Sequence, residues 1–276
     1  MGDNFALRLK FWGVRGTIPT PAPSHMGYGG NTTCLEVRSS DGVIMIDAGT
    51  GARQFGTHLQ NEFNGANLNL HVLMTHFHWD HIQGLPHFAP LFSPGNKIIF
   101  HSSRPPEQIR GILEGQMSDP YYPISLNCLP AQRDFVDICS DPFRQFGIAA
   151  YPFPLHHPQC ATGYRLESKG KVITHASDLE HGHDKLDKTL REFAQDADVL
   201  IYDAQYTPNE YSSWKGRGHS TWLQATRVAR DSNVGRLILF HHDPNHDDKC
   251  MTEILGEARR HFENTDVATE GLEIAL

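Results

Sequence analysis

The stretch Thr75-His76-Phe77-His78-Trp79-Asp80-His81-Ile82-Gln83-Gly84 decides how this chain is read. Three imidazoles and one carboxylate fall within six positions, directly after an apolar run, Leu68 to Met74, that reads as a strand. Side chains alternate along extended chain, so His76 and His78 point the same way. Asp80 and His81 follow as the chain turns into its next element. Such an arrangement can hand two ligands to one metal ion and two to a second. Divalent metals such as zinc take nitrogen and oxygen donors of this kind. A solvated His-rich turn is the bland alternative, but four donors at a strand end, just ahead of Gly84, disfavour it. The cluster is internal and contains a carboxylate, unlike an expression tag.

The pattern His-x-His-x-Asp-His at residues 76–81 resembles the signature of the metallo-β-lactamase superfamily. The resemblance implies an α/β (α+β) chain folded as an αββα sandwich: two mixed β-sheets flanked by helices, with a metal site at one edge between them. It also implies hydrolysis by a metal-bound hydroxide, usually with two ions.

Elsewhere β-type runs recur at Leu7–Trp12, Cys34–Arg38, Val43–Asp47, Lys97–Phe100, Ile148–Phe153, Gly163–Leu166, Lys171–Thr174, Val199–Tyr202, Arg236–Phe240 and Leu272–Ala275. Apolar residues at helical spacing mark Ala52–Glu62, Pro106–Gln116, Leu186–Gln195, Ser220–Asp231 and Asp248–Phe262. Two sheets packed face to face with outer helices would accommodate this order. No linker divides the chain, so residues 1–276 read as a single hydrolase domain. The proline-rich segment Phe88 to Asp141 is the least regular, a surface excursion or a wall over the metal site.

Lys plus Arg is 24 against 32 Asp plus Glu, a net charge of −8. That balance is poor for gripping long nucleic acid by its phosphates, yet it permits a small anionic substrate at a metal, whose own charge sets the local field. The five cysteines include no Cys-x-x-Cys, which reads as a reduced, cytoplasmic chain. Met1 to Ala6 lacks a charged and apolar leader, and Ala6 stands where N-myristoylation wants Ser or Thr. No apolar run reaches the ~18 residues needed to span a bilayer, so no membrane contact is expected. Oligomeric state is open, a homodimer being the commonest arrangement generally.

The resemblance extends to the remaining ligands. The superfamily takes its third imidazole from a loop like Leu155-His156-His157-Pro158; His157 is favoured because a residue before proline is held extended, with His156 the alternative. A bridging aspartate follows a later strand, here Asp178, though alone an Asp after a strand is more often a turn former. The last imidazole follows the strand at Arg236–Phe240, His241 favoured over His242. The resemblance then gives His76, His78 and His157 to one ion and Asp80, His81 and His241 to a second, with Asp178 shared. Zinc is the first choice and manganese or iron the alternatives. Asp47, in Asp47-Ala48-Gly49, is expected to fix a ligand by hydrogen bond.

Within the superfamily, Asp203 and the element Gly218-His219-Ser220-Thr221 are similar to the tRNase Z-like and cyclic phosphodiesterase branch. Carried over, Asp203 orients His219, which protonates or stabilises the departing oxygen, and the hydroxide held with Asp80 attacks phosphorus. The opening Phe11-Trp12-Gly13-Val14-Arg15-Gly16-Thr17 and Gly30-Asn31-Thr32 resemble bacterial proteins linked to cyclic-nucleotide phosphodiesterase activity. Arg15, Asn31 and Thr32 are therefore candidate substrate contacts. A small phosphodiester, a 3′,5′-cyclic nucleotide, is the expected substrate. A long arm for gripping tRNA is not evident. With the acidic balance, this argues against long nucleic acid as a partner. Gln159-Cys160 stands where relatives carry glycines, and Cys160 is expected to be a buried, inert thiol.

Overall fold

The computed structural model describes residues 5–276; Met1 to Asn4, part of the segment read above for a leader or lipid signal, lie outside the described residues. One seven-stranded sheet is built from β1 (Arg8–Gly13), β2 (Cys34–Arg38), β3 (Val43–Ile46), β4 (Asn69–Leu73), β5 (Lys97–Ser102) and β6 (Gln132–Asp137), with the last strand of the chain, β14 (Glu273–Ala275), along its first edge. The second sheet holds β7 (Arg144–Gln145), β8 (Ile148–Leu155), β9 (Ala161–Ser168), β10 (Lys171–Ala176), β11 (Val199–Asp203), β12 (Arg236–Phe240) and β13 (Thr265–Val267). Both are mixed: β1 to β3 pair antiparallel and β3 to β6 parallel, while β7 to β10 pair antiparallel and β10 to β13 parallel.

The helices are α1 (Ala52–Phe63), α2 (Trp79–Ile82), α3 (Pro106–Gln116), α4 (Asp184–Ala194), α5 (Pro208–Trp214), α6 (Trp222–Asp231) and α7 (Asp248–His261). Strand β12 shows why they layer as they do. Its residues Leu237 to Phe240 are buried throughout, as a parallel strand covered on both faces must be. Leu237 and Leu239 pack with apolar residues of α4, α6 and α7, whereas Ile238 and Phe240 meet Leu9, Phe11, Leu35 and Ile44 of the other sheet. A third cluster joins Met45, Leu70, Val72 and Phe100 to α1 and α3. The order is therefore helix, sheet, sheet, helix, as expected. The segment from Phe88 to Asp141 is more regular than its prolines suggest: it contains β5, α3 and the edge strand β6. Its Gln116 and Tyr122 bond the carbonyls of Ile82 and Pro86, so it packs on the end of α2 and the turn after it.

Between the sheets, away from strand ends, lies a pair of neutral imidazoles. His71 Nδ1 is 2.8 Å from His101 Nε2, and both rings meet Phe143 edge-on. Burial, then Lys97, pulls His71 down to about 4, and burial, then His71, pulls His101 to about 3. These values lie below the 6.5 of an unperturbed imidazole, so in acid the unfolded chain binds protons the folded chain refuses. The pair's contribution to stability is whole above that unfolded value and is lost as pH falls toward 4 and then 3. Between pH 7 and pH 5 the loss is expected to be about 2 kcal/mol per imidazole. Urea titrations of the protein and of the double variant H71L/H101L at the two pH values check this: the variant should lose distinctly less, and equal losses would refute it.

Candidate metal centre

The parallel ladder aligns the carboxyl ends of three strands. Ala176 pairs with Tyr202 and Asp203 with Phe240, so Asp178, Asp203 and His241 emerge at one edge of the second sheet. The carboxyl end of β4 delivers Thr75 to His81 to the same place, and the end of β8 delivers His157. Asp47, Asp178 and His241 have φ of 57°, 62° and 63°. Left-handed backbone at a non-glycine residue is uncommon and clusters where geometry is over-determined. Here it stops each strand and swings the side chain toward its neighbours. Gly16 completes the packing, since a Cβ there would lie 2.2 Å from the His241 ring.

Three donor groups result. His76, His78 and His157 form one, Asp80, His81, Asp178 and His241 a second, and Asp178, Asp203, His219 and His241 a third that overlaps the second, each with its ligand atoms within 4.8 Å of one another. Asp178 faces both of the first two, which hold the expected ligands: Oδ2 is 3.1 Å from His81 Nε2, and Oδ1 is 3.3 Å from His241 Nε2 and 3.8 Å from the Nε2 atoms of His76 and His157. Of the sequence alternatives, His157 and His241 lie in the donor groups. His156 turns away, its Nδ1 3.1 Å from the Glu180 carbonyl, and buried His242 places Nε2 2.8 Å from the Ala268 carbonyl.

The remaining ring nitrogens are held from outside, which fixes which nitrogen faces inward. His81 Nδ1 lies 2.8 Å from Asp47 Oδ2, as expected of that aspartate. His157 Nδ1 bonds the Gly218 carbonyl at 2.8 Å, His241 Nδ1 lies 2.9 Å from Gln205 Oε1, and His78 Nε2 lies 3.2 Å from Gln159 Oε1. Gln205 and Gln159 carried no signal of these roles, because neither shares a motif with the imidazole it holds. The inward nitrogens His76 Nε2 and His81 Nε2 are buried without a hydrogen-bond partner, although Asp178 is within 3.8 and 3.1 Å. Buried polar atoms are rarely left so, and ring nitrogens of this kind, one in each of the first two donor groups beside Asp178, fit bound cations. The electrostatics agree. Burial opposes ionisation of Asp178 and Asp80, yet imidazoles led by His241 for the first and His81 for the second hold both carboxyls well below the usual range. Burial likewise opposes a proton on His241, but Asp178, Asp80 and Asp203 push it up to about 9. The carboxylates thus favour positive charge on the groups beside them.

Asp203 and His219 meet as expected: His219 Nδ1 is 2.8 Å from Asp203 Oδ2, and the ring stacks on His241 with centroids 4.9 Å apart. Asp203 also accepts the backbone N–H groups of Asp178, Gln205 and Ser220 at 3.1–3.2 Å. It thus ties two strand-end loops to the segment ahead of α6.

Three expected substrate contacts are placed otherwise. Arg15 is fully buried and donates to the carbonyls of Gly29 (2.8 Å), His246 (2.7 Å), Asp243 (3.2 Å) and His25 (3.4 Å). Its guanidinium clamps loops and has no face toward the donor groups. Asn31 is held by Glu270, at 2.6 Å from its N–H and 3.0 Å from its amide, and Thr32 exchanges bonds with Thr50. These residues shape the opening loop, whose Thr17 N–H reaches Asp80 Oδ2 at 2.7 Å. Cys160 is exposed rather than buried; it lines a shallow cavity beside His76.

Comparison with known proteins bears on this geometry. Residues 43–242 match the model of the β-lactamase superfamily domain. The chain belongs to the β-lactamase superfamily. Among superfamily members it is 25% identical to a ribonuclease Z of Thermoplasma acidophilum over 94% of this chain and 93% of the relative. It is 26% identical to a ribonuclease BN of Escherichia coli K12 over 96% and 98%. The metallo-β-lactamase fold protein YhfI of Bacillus subtilis superposes with a TM-score of 0.73 at 16% identity, covering 97% of this chain and 98% of that one. The αββα expectation is borne out, and the expected reaction class, metal-dependent hydrolysis of phosphodiesters, agrees with the ribonuclease relatives.

The same relatives overturn the exclusion of long nucleic acid. Ribonucleases act on RNA, and two of them align along almost the whole chain. The argument failed because net charge sums the entire surface, whereas phosphate binding responds to the field at the site. Arg217 and Arg104 line cavities next to the site, so basic groups stand there whatever the sum over the chain. No helix among the described residues is long and apolar enough to cross a membrane.

Proposed function

We propose that this chain is a dinuclear metal-dependent phosphodiesterase that hydrolyses phosphodiester bonds of RNA. The observation that carries the reading is the Asp203–His219 pair, 2.8 Å apart and stacked against His241 at the rim of the donor groups. A positioned imidazole there can protonate the sugar oxygen expelled from phosphorus, the reaction class of the ribonuclease relatives.

In this reading His76, His78 and His157 hold one cation, Asp80, His81 and His241 a second, and Asp178 both, with zinc the first choice among metals that take such donors. Bound there, the pair of cations would neutralise phosphate oxygens and bring the pKa of a shared water toward neutrality. Asp47, Gln205, Gln159 and the Gly218 carbonyl keep the imidazoles aimed. Asp203 fixes Nδ1 of His219, leaving Nε2 to pass a proton to the leaving oxygen. Arg15, Asn31 and Thr32 take no part in binding substrate. Because both sheets contribute to one site, residues 1–276 are read as one catalytic domain. The five unpaired cysteines support a reducing, cytoplasmic setting.

A linear substrate is preferred to the 3′,5′-cyclic nucleotide expected from sequence. Two cavities of about 290 and 280 Å³ adjoin the site, one lined by His219 and the other by Thr75 and His76. They leave room for chain beyond a scissile phosphate, and the ribonuclease relatives favour the same choice. The test is turnover by zinc- or manganese-loaded protein of single-stranded RNA, bis(p-nitrophenyl) phosphate, cyclic nucleotides, a lactone and a β-lactam. RNA is expected to be cleaved with the highest kcat/KM; preference for either carbonyl substrate would overturn the proposal.

A further inference from the structure

The cavity on the His219 flank has a constructed wall that hydrolysis alone does not use. Its volume is about 290 Å³, and Tyr206, Trp214, Arg217, Asp243 and Asn245 line it with His219. That is near the lower end for small-molecule pockets. Trp214 ends α5 and is 43% exposed although it already has ring partners. Tyr206 lies nearly parallel to it, centroids 6.3 Å apart, and Arg217 Cζ stands 4.9 Å from the indole centroid. Tyr206 in turn meets His219 edge-on at 5.9 Å.

The wall is anchored. Glu180, 5% exposed, accepts the N–H groups of Gly216 (2.7 Å) and Gly218 (3.0 Å) and the Tyr211 hydroxyl (2.9 Å). The Gly218 carbonyl holds His157 Nδ1, and a Cβ at Gly218, whose φ is +87°, would come within 2.5 Å of that nitrogen. The segment carrying Trp214 and Arg217 is thus registered by its backbone to the donor groups. Its distance from the scissile position is set by the fold.

An exposed indole beside an exposed guanidinium suits a flat conjugated ring attached to an anion. Stacking on aromatic side chains accepts any base, and arginine adds cation–π attraction and a planar phosphate donor. Asp243 and Asn245 offer hydrogen-bonding groups at the ring edge. Resting on the phosphodiesterase reading, we propose that Trp214 and Arg217 bind the nucleobase of the nucleoside on the leaving-group side of the scissile bond.

The test compares kcat/KM on a dinucleoside monophosphate with that on the matching nucleoside methyl phosphate, whose leaving group lacks a base. W214A is expected to lose about tenfold to hundredfold on the first, mainly through KM, and less than threefold on the second, with W214F retaining most activity; R217A, which also removes a phosphate donor, is expected to lose more on the first than on the second. Equal losses on both substrates, or none on either, would overturn the proposal. If the native protein cleaves neither, the phosphodiesterase reading fails. Adenosine monophosphate titrated against zinc-loaded protein then decides this one: binding weakened in W214A sustains it, and binding absent or unchanged refutes it.

Discussion

Alanine at position 178 is expected to deprive the protein of bound metal and lower turnover by about 10³–10⁵-fold, roughly 4–7 kcal/mol of transition-state stabilisation. The size follows from where the carboxylate stands. It is 3.1 Å from His81 Nε2, 3.3 Å from His241 Nε2 and 3.8 Å from both His76 and His157 Nε2, so it serves both proposed cation sets. Its removal leaves His76, His78 and His157 as a set of neutral donors with no adjoining carboxylate. His81→Ala should be milder, emptying the Asp80 group and sparing the three-imidazole group. Alanine also strains the backbone at φ 62°. Asparagine tolerates that conformation, and Asp178→Asn therefore separates charge from fold. Metal content after dialysis, measured by elemental analysis alongside RNA turnover, is the check. Two retained equivalents with native turnover in the asparagine variant would remove Asp178 from the site.

Strands covered on both faces were the most legible part of the chain. The β-type runs at Cys34–Arg38 and Arg236–Phe240 have the same bounds as β2 and β12. Strands β6, β7 and β13 escaped because edge strands mix polar residues and need little apolar content. Helix α5 escaped although its signal was present: Thr207-Pro208 followed by Glu210 forms a capping box with proline in the first turn. In the site, donors at strand ends could be read because type and spacing persist in sequence. Their outer partners could not, since Gln205 and His241 lie 36 residues apart and meet only through the β11–β12 ladder. Arg15 was misjudged for the same reason: whether a guanidinium faces a phosphate or four carbonyls is decided by tertiary packing.

Alanine in place of His219 should lower kcat on RNA by about 10²–10⁴-fold, the range for a positioned general acid, while metal content and KM stay near native. The ring belongs to neither proposed cation set, and it stacks on His241 without sharing that residue's inward nitrogen. Losing it therefore should not release a cation. Asp203 is a poorer target: beyond His219 it accepts the N–H groups of Asp178, Gln205 and Ser220, and its replacement would disturb a proposed ligand's loop. The distinguishing measurement is dependence on the leaving group. An aryl oxide departs as a stabilised anion and needs little protonation, whereas a ribose oxygen needs a proton as the bond breaks. The variant's loss on bis(p-nitrophenyl) phosphate should accordingly fall to about tenfold or less. A loss as large on the aryl ester as on RNA would mean that His219 supports the architecture around His241 and delivers no proton.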